Sequence, residues 1–193
     1  MKRGPLVALI LVVALTAAIA IIPGRKYILI DRCLDRGGAW NYDRRRCETQ
    51  PARRVDRLVV DKSDHRLTAY FHGQPVRRFR ISLGRGGLAP KVRAGDARVP
   101  EGAYRIVAHN PASAYYRSLR IGYPTAQQAQ SARASGVDVG GDIMVHGIRN
   151  GMGALGSRHT MTDWTAGCIA VTDSEMDWLY AAVPDGTPIF IGA

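Results

Sequence analysis

The sequence has few cysteines, few acidic residues and a single long apolar run. Its 193 residues include three cysteines, and no histidine or cysteine spacing in it is typical of a metal site. Acidic residues number 16 against 27 lysines and arginines, which leaves a net charge of +11. Outside residues 6–22, no apolar stretch is long enough to cross a bilayer. The sequence therefore predicts no metal centre and no second membrane span.

The excess positive charge favours an anionic partner, which would be a membrane surface, a cell-wall polymer or a nucleic acid. Much of it lies in three arginine clusters, at residues 44–46, 53–54 and 77–80. The alternative is a solvated basic face that keeps the protein soluble.

The N-terminus combines Lys2 and Arg3 with the apolar run 6–22, as in an export signal. Small residues occur at the end of the run, but residues 21–24 continue it, so no clean A-x-A cleavage site stands out. We therefore favour an uncleaved transmembrane anchor over a cleaved signal peptide. Lys2 and Arg3 place the N-terminus inside, and the rest of the chain in the cell envelope, outside the cytoplasmic membrane. That compartment argues against nucleic acid as the partner.

Cys33 and Cys47 flank a short segment in which Gly37 and Gly38 can turn the chain back. In an oxidising compartment the two thiols are expected to form a disulfide. Two reduced thiols or a metal site are the alternatives, although no neighbouring residues complete four ligands. The pairing would leave Cys168 as the odd thiol.

We divide the chain into an anchor (1–24), a stalk with the disulfide loop (25–54) and a folded domain (55–193). The glycine-rich segment 84–91 lacks the ending of a phosphate-binding loop, so we interpret it as a flexible loop and predict no cofactor. Short strands and two helices, the second capped by Asp173, predict a mostly β domain, sandwich or barrel-like. Strands are expected at 58–61, 67–71, 76–83, 103–107, 119–124, 142–146 and 188–191, and helices at 125–135 and 174–183.

Two motifs carry the candidate chemistry. Cys168 follows Gly167 at the head of an apolar run, and His146 ends another run and precedes Gly147. A free thiol is only about 3% ionised at neutral pH, so a nucleophilic cysteine needs a base. The alternative is a buried structural cysteine, since free cysteine is among the most buried residue types.

The series of motifs from Val55 to Ile191 resembles the catalytic domain of the L,D-transpeptidase family. It includes the residues Gly140–Gly147, the residues Thr165–Ile169 and a final Gly-Thr-Pro-Ile at residues 186–189. The resemblance implies a mostly β enzyme of the bacterial cell envelope. Such enzymes attack a peptidoglycan stem peptide, form a thioester and pass the acyl group to an amine.

In this scheme Cys168 is the nucleophile and His146 the general base and acid. The resemblance places the third group at the backbone carbonyl of Gly147. Backbone N–H groups of Cys168 and Gly167 are candidates for the oxyanion hole.

Four further residues are weaker candidates for substrate contacts: His159, Trp164, Thr165 and Tyr123. The alternatives for His159 are a general base or an exposed loop histidine. The alternative for Trp164 is a residue that only packs against its neighbours.

The chain departs from the common family pattern. Ala166 and Ala170 stand where many members carry polar residues, and the interval from His146 to Cys168 is longer than usual. These departures resemble a branch that includes hydrolases of peptidoglycan–lipoprotein links. Transfer to water, by an L,D-carboxypeptidase or amidase, is therefore the alternative reaction. A sortase is disfavoured because its signature is missing, and a non-catalytic wall-binding module is the alternative of another class.

Overall fold

The computed structural model describes residues 28–29, 39–41, 45–48 and 55–193. The chain divides into two compact units, residues 1–51 and 52–193. In the first, strand β1 (Ala39–Asn41) pairs antiparallel with β2 (Arg46–Glu48). Among the described residues, no helix has the length and apolar character needed to cross a bilayer. The predicted anchor lies outside these residues and stays a prediction.

Cys47 lies in β2 and is disulfide-bonded. Cys33 lies outside the described residues, so its pairing with Cys47 also stays a prediction.

The second unit is mostly β-sheet with three short helices, as the sequence predicts apart from one additional helix. That helix is of the 3₁₀ type, at Gly153–Met161. The remaining elements are β3 (Arg57–Asp61), β4 (Arg66–Phe71), β5 (Gln74–Arg80), β6 (Gly102–Ser113), β7 (Tyr116–Ile121), α1 (Ala126–Ala134), β8 (Met144–His146), β9 (Ile169–Ala170), α2 (Asp173–Ala182) and β10 (Pro188–Gly192).

Eight strands form one sheet in the order β5-β4-β3-β10-β6-β7-β8-β9. Neighbours run antiparallel except in the pairs β3–β10 and β8–β9, which are parallel. Beyond β5, Ser82 bridges to Ala170 and Gly84 bridges to Thr165. These bridges join the two edges of the sheet, which closes it like a barrel and leaves less unpaired edge.

Helix α2 packs on the sheet through Met176 and Leu179, which are fully buried. Its N-cap is Thr172, whose hydroxyl accepts from the backbone N–H of Glu175, while the Glu175 carboxylate accepts from Thr172. The prediction that Asp173 caps this helix is therefore wrong. The capping box occupies the cap position and leaves the Asp173 carboxylate available to a neighbouring loop.

The β6–β7 hairpin is longer than the sequence predicts. Strands were expected at 103–107 and 119–124, yet β6 runs to Ser113 and β7 begins at Tyr116. Two register irregularities interrupt the pairing, one of them around Pro111, which has no N–H to donate. The hairpin carries Tyr115 over the sheet to the site described next.

Candidate active site

A cleft of about 350 Å³ opens beside the junction of β8 and β9. Cys168 and His146 both line it, so the fold brings the two sequence candidates together. The other lining residues are Arg85, Asn110, Ala112, Ser113, Ala114, Tyr115, Asp142, Met144, Trp164, Thr165 and Ala166.

Strand register explains why the two residues meet. In the parallel pair β8–β9, Val145 lies opposite Ile169 and His146 opposite Ala170. Val145 and Ile169 face the core, so His146 and Cys168 share the other face as diagonal neighbours.

His146 is oriented by its own neighbour. Its Nδ1 lies 2.7 Å from the Gly147 carbonyl oxygen. A carbonyl only accepts, so Nδ1 donates its proton and Nε2 keeps the lone pair. The side chain is 3% exposed, and this burial lowers the pKa to about 4, although the hydrogen bond to Gly147 raises it. The imidazole is therefore neutral at pH 7 and can accept a proton.

Cys168 is the free cysteine of the described residues and is half-buried. Its Sγ donates to the Asp142 carbonyl at 3.6 Å. Burial raises the pKa of the thiol, with the Met144 backbone N–H acting in the opposite direction. A thiol in this state is protonated at neutral pH. The geometry therefore suits deprotonation by a base during reaction better than a preformed thiolate.

Gly167 and Thr165 shape the turn that presents Cys168. Gly167 has φ of +122°, and a Cβ there would lie 2.8 Å from the Arg98 carbonyl oxygen, so only glycine fits. Its N–H donates to the Thr165 hydroxyl at 3.2 Å, and that hydroxyl donates to the Cys168 carbonyl at 2.7 Å. The Gly167 N–H and the Thr165 hydroxyl are thus both engaged in holding the turn.

Aromatic rings form one wall of the cleft. The Trp164 ring lies 5.6 Å from the His146 ring, centroid to centroid. Tyr115, which sequence reasoning missed, lies 4.6 Å from His146 and 5.9 Å from Trp164. No local motif marks Tyr115, because only the β6–β7 hairpin carries it here.

Two of the weaker candidates lie away from the cleft. His159 is buried behind Trp164, with ring centroids 6.4 Å apart, and its backbone carbonyl accepts from the Ser82 hydroxyl at 2.7 Å. Tyr123 lines a separate cavity of about 440 Å³ and donates to the Val139 carbonyl at 3.2 Å. Neither side chain lines the cleft.

The segment 84–98, whose first part was expected to be a flexible loop, is anchored by Asp96. Its carboxylate accepts from Lys91 Nζ at 2.8 Å, and the two side chains are 7% and 4% exposed. Backbone N–H groups of Val92, Arg93 and Arg98 also donate to it. Burial raises the pKa of Asp96, but these donors outweigh it and hold that pKa well below its usual range. At the start of the segment, Arg85 lines the cleft, and its backbone N–H donates to the Thr165 carbonyl at 3.0 Å.

The described domain is mostly β and places a free thiol and a neutral imidazole in one cleft, which are the groups that nucleophilic catalysis by a cysteine requires. The chain belongs to the L,D-transpeptidase catalytic domain family (YkuD), whose family model matches residues 55–191. Members of this family act on peptidoglycan in the cell envelope.

Several known proteins are similar to this chain. YafK of Escherichia coli K12 is 38% identical over 76 residues, which is 38% of this chain and 29% of YafK. The cell-shape-determining protein Pgp2 of Campylobacter jejuni superposes with a TM-score of 0.54 at 23% identity, over 71% of this chain and 47% of Pgp2. Bd1075 of Bdellovibrio bacteriovorus gives 0.52 at 22% identity, over 75% of this chain and 50% of that protein. The chain thus matches half or less of each relative's length, and the two structures support the fold alone.

Proposed function

We propose that this protein is a cysteine L,D-transpeptidase that acts on peptidoglycan stem peptides. Cys168 attacks the carbonyl at the third residue of the stem and forms a thioester. An amine of a second stem then resolves it. The observation that carries the proposal is the hydrogen bond from His146 Nδ1 to Gly147, because it leaves Nε2 as the acceptor on the face that Cys168 shares.

The first step is acylation. His146 Nε2 accepts the Cys168 proton as Sγ bonds to the carbonyl carbon. The resulting imidazolium returns that proton to the leaving amine as the peptide bond breaks. The low pKa of His146 makes the imidazolium a strong acid, which suits protonation of a poor leaving group.

Negative charge develops on the carbonyl oxygen during attack. The Cys168 backbone N–H is the donor we assign to it, since the Gly167 N–H is held by Thr165. A single donor of this kind is worth about 3 kcal/mol of transition-state stabilisation. Trp164 and Tyr115 form the wall against which the stem peptide would lie.

Hydrolysis is the second candidate, and Ala166 favours it. This residue lines the cleft beside Cys168 yet has no polar group with which to bind an acceptor amine. In this reaction water replaces the amine, and the products are a shortened stem or a released protein link.

The test is incubation of the purified chain with disaccharide-tetrapeptide, followed by mass spectrometry of products and of Cys168. We expect an acyl adduct on Cys168 in the wild type and none in Cys168→Ala. Cross-linked products indicate transfer, and shortened stems alone indicate hydrolysis. A Cys168→Ala protein with full activity would disprove the cysteine mechanism. If activity is absent but the protein still binds sacculi, it is a wall-binding module, and that binding would weaken with salt.

The location is part of the same proposal. A substrate in the cell wall requires the domain outside the cytoplasmic membrane, and the predicted anchor at residues 1–24 would hold it there. The net charge of +11 would favour association with the anionic wall.

A further inference from the structure

The carboxylate of Asp173 is enclosed by the loop that follows His146. Asp173 is the first residue of α2, and its Oδ1 accepts from the backbone N–H of Ile148 at 2.8 Å. A Cβ on Gly147 would lie 2.7 Å from Oδ1, and one on Gly153 would lie 2.6 Å from Oδ2. Two glycines thus let the chain close around this side chain.

One peptide group connects this carboxylate to His146. The carbonyl of the Gly147–Ile148 peptide accepts from His146 Nδ1 at 2.7 Å, and its N–H donates to Asp173. Because the peptide is conjugated, an anion at its N–H increases the negative charge on its oxygen. Hydrogen bonds in such a chain strengthen one another by about 10–30%.

The same loop is held from its other side. The backbone N–H of Gly147 lies 3.1 Å from the Tyr115 carbonyl oxygen and 3.2 Å from that of Arg117. The carbonyl that orients His146 therefore has little freedom to turn.

We propose that Asp173 is a positioning residue that acts on His146 through the Gly147–Ile148 peptide. It fixes the carbonyl that orients the imidazole and stabilises the imidazolium that forms when Cys168 loses its proton. The proton moves only between Sγ and Nε2, and none passes to Asp173. The inference rests on the proposed function, since it assigns a role in the same reaction.

Other charged groups surround this unit. His159 faces His146 and interacts with Asp173 and Glu175 of α2. Asp142 and Lys91 act on Cys168. All of these remain in place when Asp173 alone is changed.

The test compares Asp173→Asn with Asp177→Asn in the full chain. Asp177 lies one turn further along α2 and binds Tyr116 and Arg117 instead, so it controls for the loss of one negative charge. The first readout is the proton resonance of His146 Nδ1–H by NMR. The second is the acylation rate of Cys168 as a function of pH.

For Asp173→Asn we expect the Nδ1–H resonance to move upfield. We expect acylation at neutral pH to fall about tenfold, by analogy with the partners that orient metal-binding histidines. The acid limb of the pH profile should move to lower pH, because His146 becomes a weaker base. Asp177→Asn should leave the resonance, the rate and the acid limb unchanged. Gly153→Ala, which pushes on Oδ2 without changing charge, should weaken the same hydrogen bond and lower the rate.

A loss of thermal stability in Asp173→Asn with an unchanged resonance and acid limb would overturn the proposal, because the carboxylate would then only anchor the helix. If the wild type forms no adduct on Cys168, the proposed function fails. The NMR comparison still decides whether Asp173 polarises the peptide.

Discussion

The burial of His146 should make this protein less stable in mild acid than at neutral pH. The imidazole is 3% exposed, and its pKa is lowered from the ordinary 6.5 to about 4. The perturbation we consider is His146→Gln, which keeps a polar side chain of similar size and removes the titrating group.

The sign follows from proton uptake. Below about pH 6.5 the unfolded chain binds a proton at His146 that the folded protein does not bind. This contribution to stability is therefore complete above pH 6.5 and is lost as the pH falls towards 4. At about 1.36 kcal/mol per unit of pKa shift, the full loss is about 3 kcal/mol, of which about 2 kcal/mol has gone at pH 5.

Urea unfolding of both proteins at pH 7 and pH 5 measures this loss. We expect the wild type to lose about 2 kcal/mol more than His146→Gln between the two pH values. Burial also lowers the pKa of His159, but this residue is present in both proteins and its effect cancels. Equal losses of stability in the two proteins would refute the argument that burial keeps the His146 imidazole neutral.

Two further changes test the surroundings of the cleft. Backbone strain alone should cost Gly167→Ala about 1–3 kcal/mol of stability, and the total loss should be larger because its Cβ would also meet the Arg98 carbonyl. Gly73→Ala, at φ +76° with open space around it, serves as the control for strain alone, and thermal unfolding of both variants measures the difference. Asp96→Asn should lower the free energy of unfolding by about 3–5 kcal/mol, because it leaves the buried Lys91 ammonium without its partner. The control, Asp64→Asn at the exposed pair with Arg66, should lower it by less than about 1 kcal/mol. Equal losses in the two variants would contradict the burial argument.

Local patterns predicted the helices well. Both α1 and α2 lie within one residue of their expected bounds, since residue composition and apolar spacing are local properties. The long β6–β7 hairpin and the 3₁₀ helix were not predicted. Pro111 and the irregular register interrupt the alternation that identifies a strand, and the 3₁₀ segment is kinked at Gly156, whose backbone is not helical.

The residues of the candidate site also divide into those that a local motif predicts and those that only the fold brings to the site. Cys168 and His146 were predicted because each stands in a short motif next to a glycine. A Cβ on either glycine, Gly167 or Gly147, would collide with a neighbouring group. Tyr115 and Asp173 have no such motif. The β6–β7 hairpin carries Tyr115 to the site from a distant part of the sequence, and the start of α2 brings Asp173 to the loop after His146. Conversely, Tyr123 looked like a site residue in its Tyr-Pro motif, yet it lines another cavity.

The sequence by itself determined the chemical groups of the candidate site: the Cys168 thiol, the His146 imidazole and the glycines that let the backbone present them. It also determined the family, because an ordered series of motifs is a linear property. Only the tertiary structure decided how these groups behave. The pairing of β8 with β9 places Cys168 and His146 on one face, and the surrounding sheet buries the imidazole enough to keep it neutral. Burial and register depend on residues far apart in the chain, so a short motif cannot specify them.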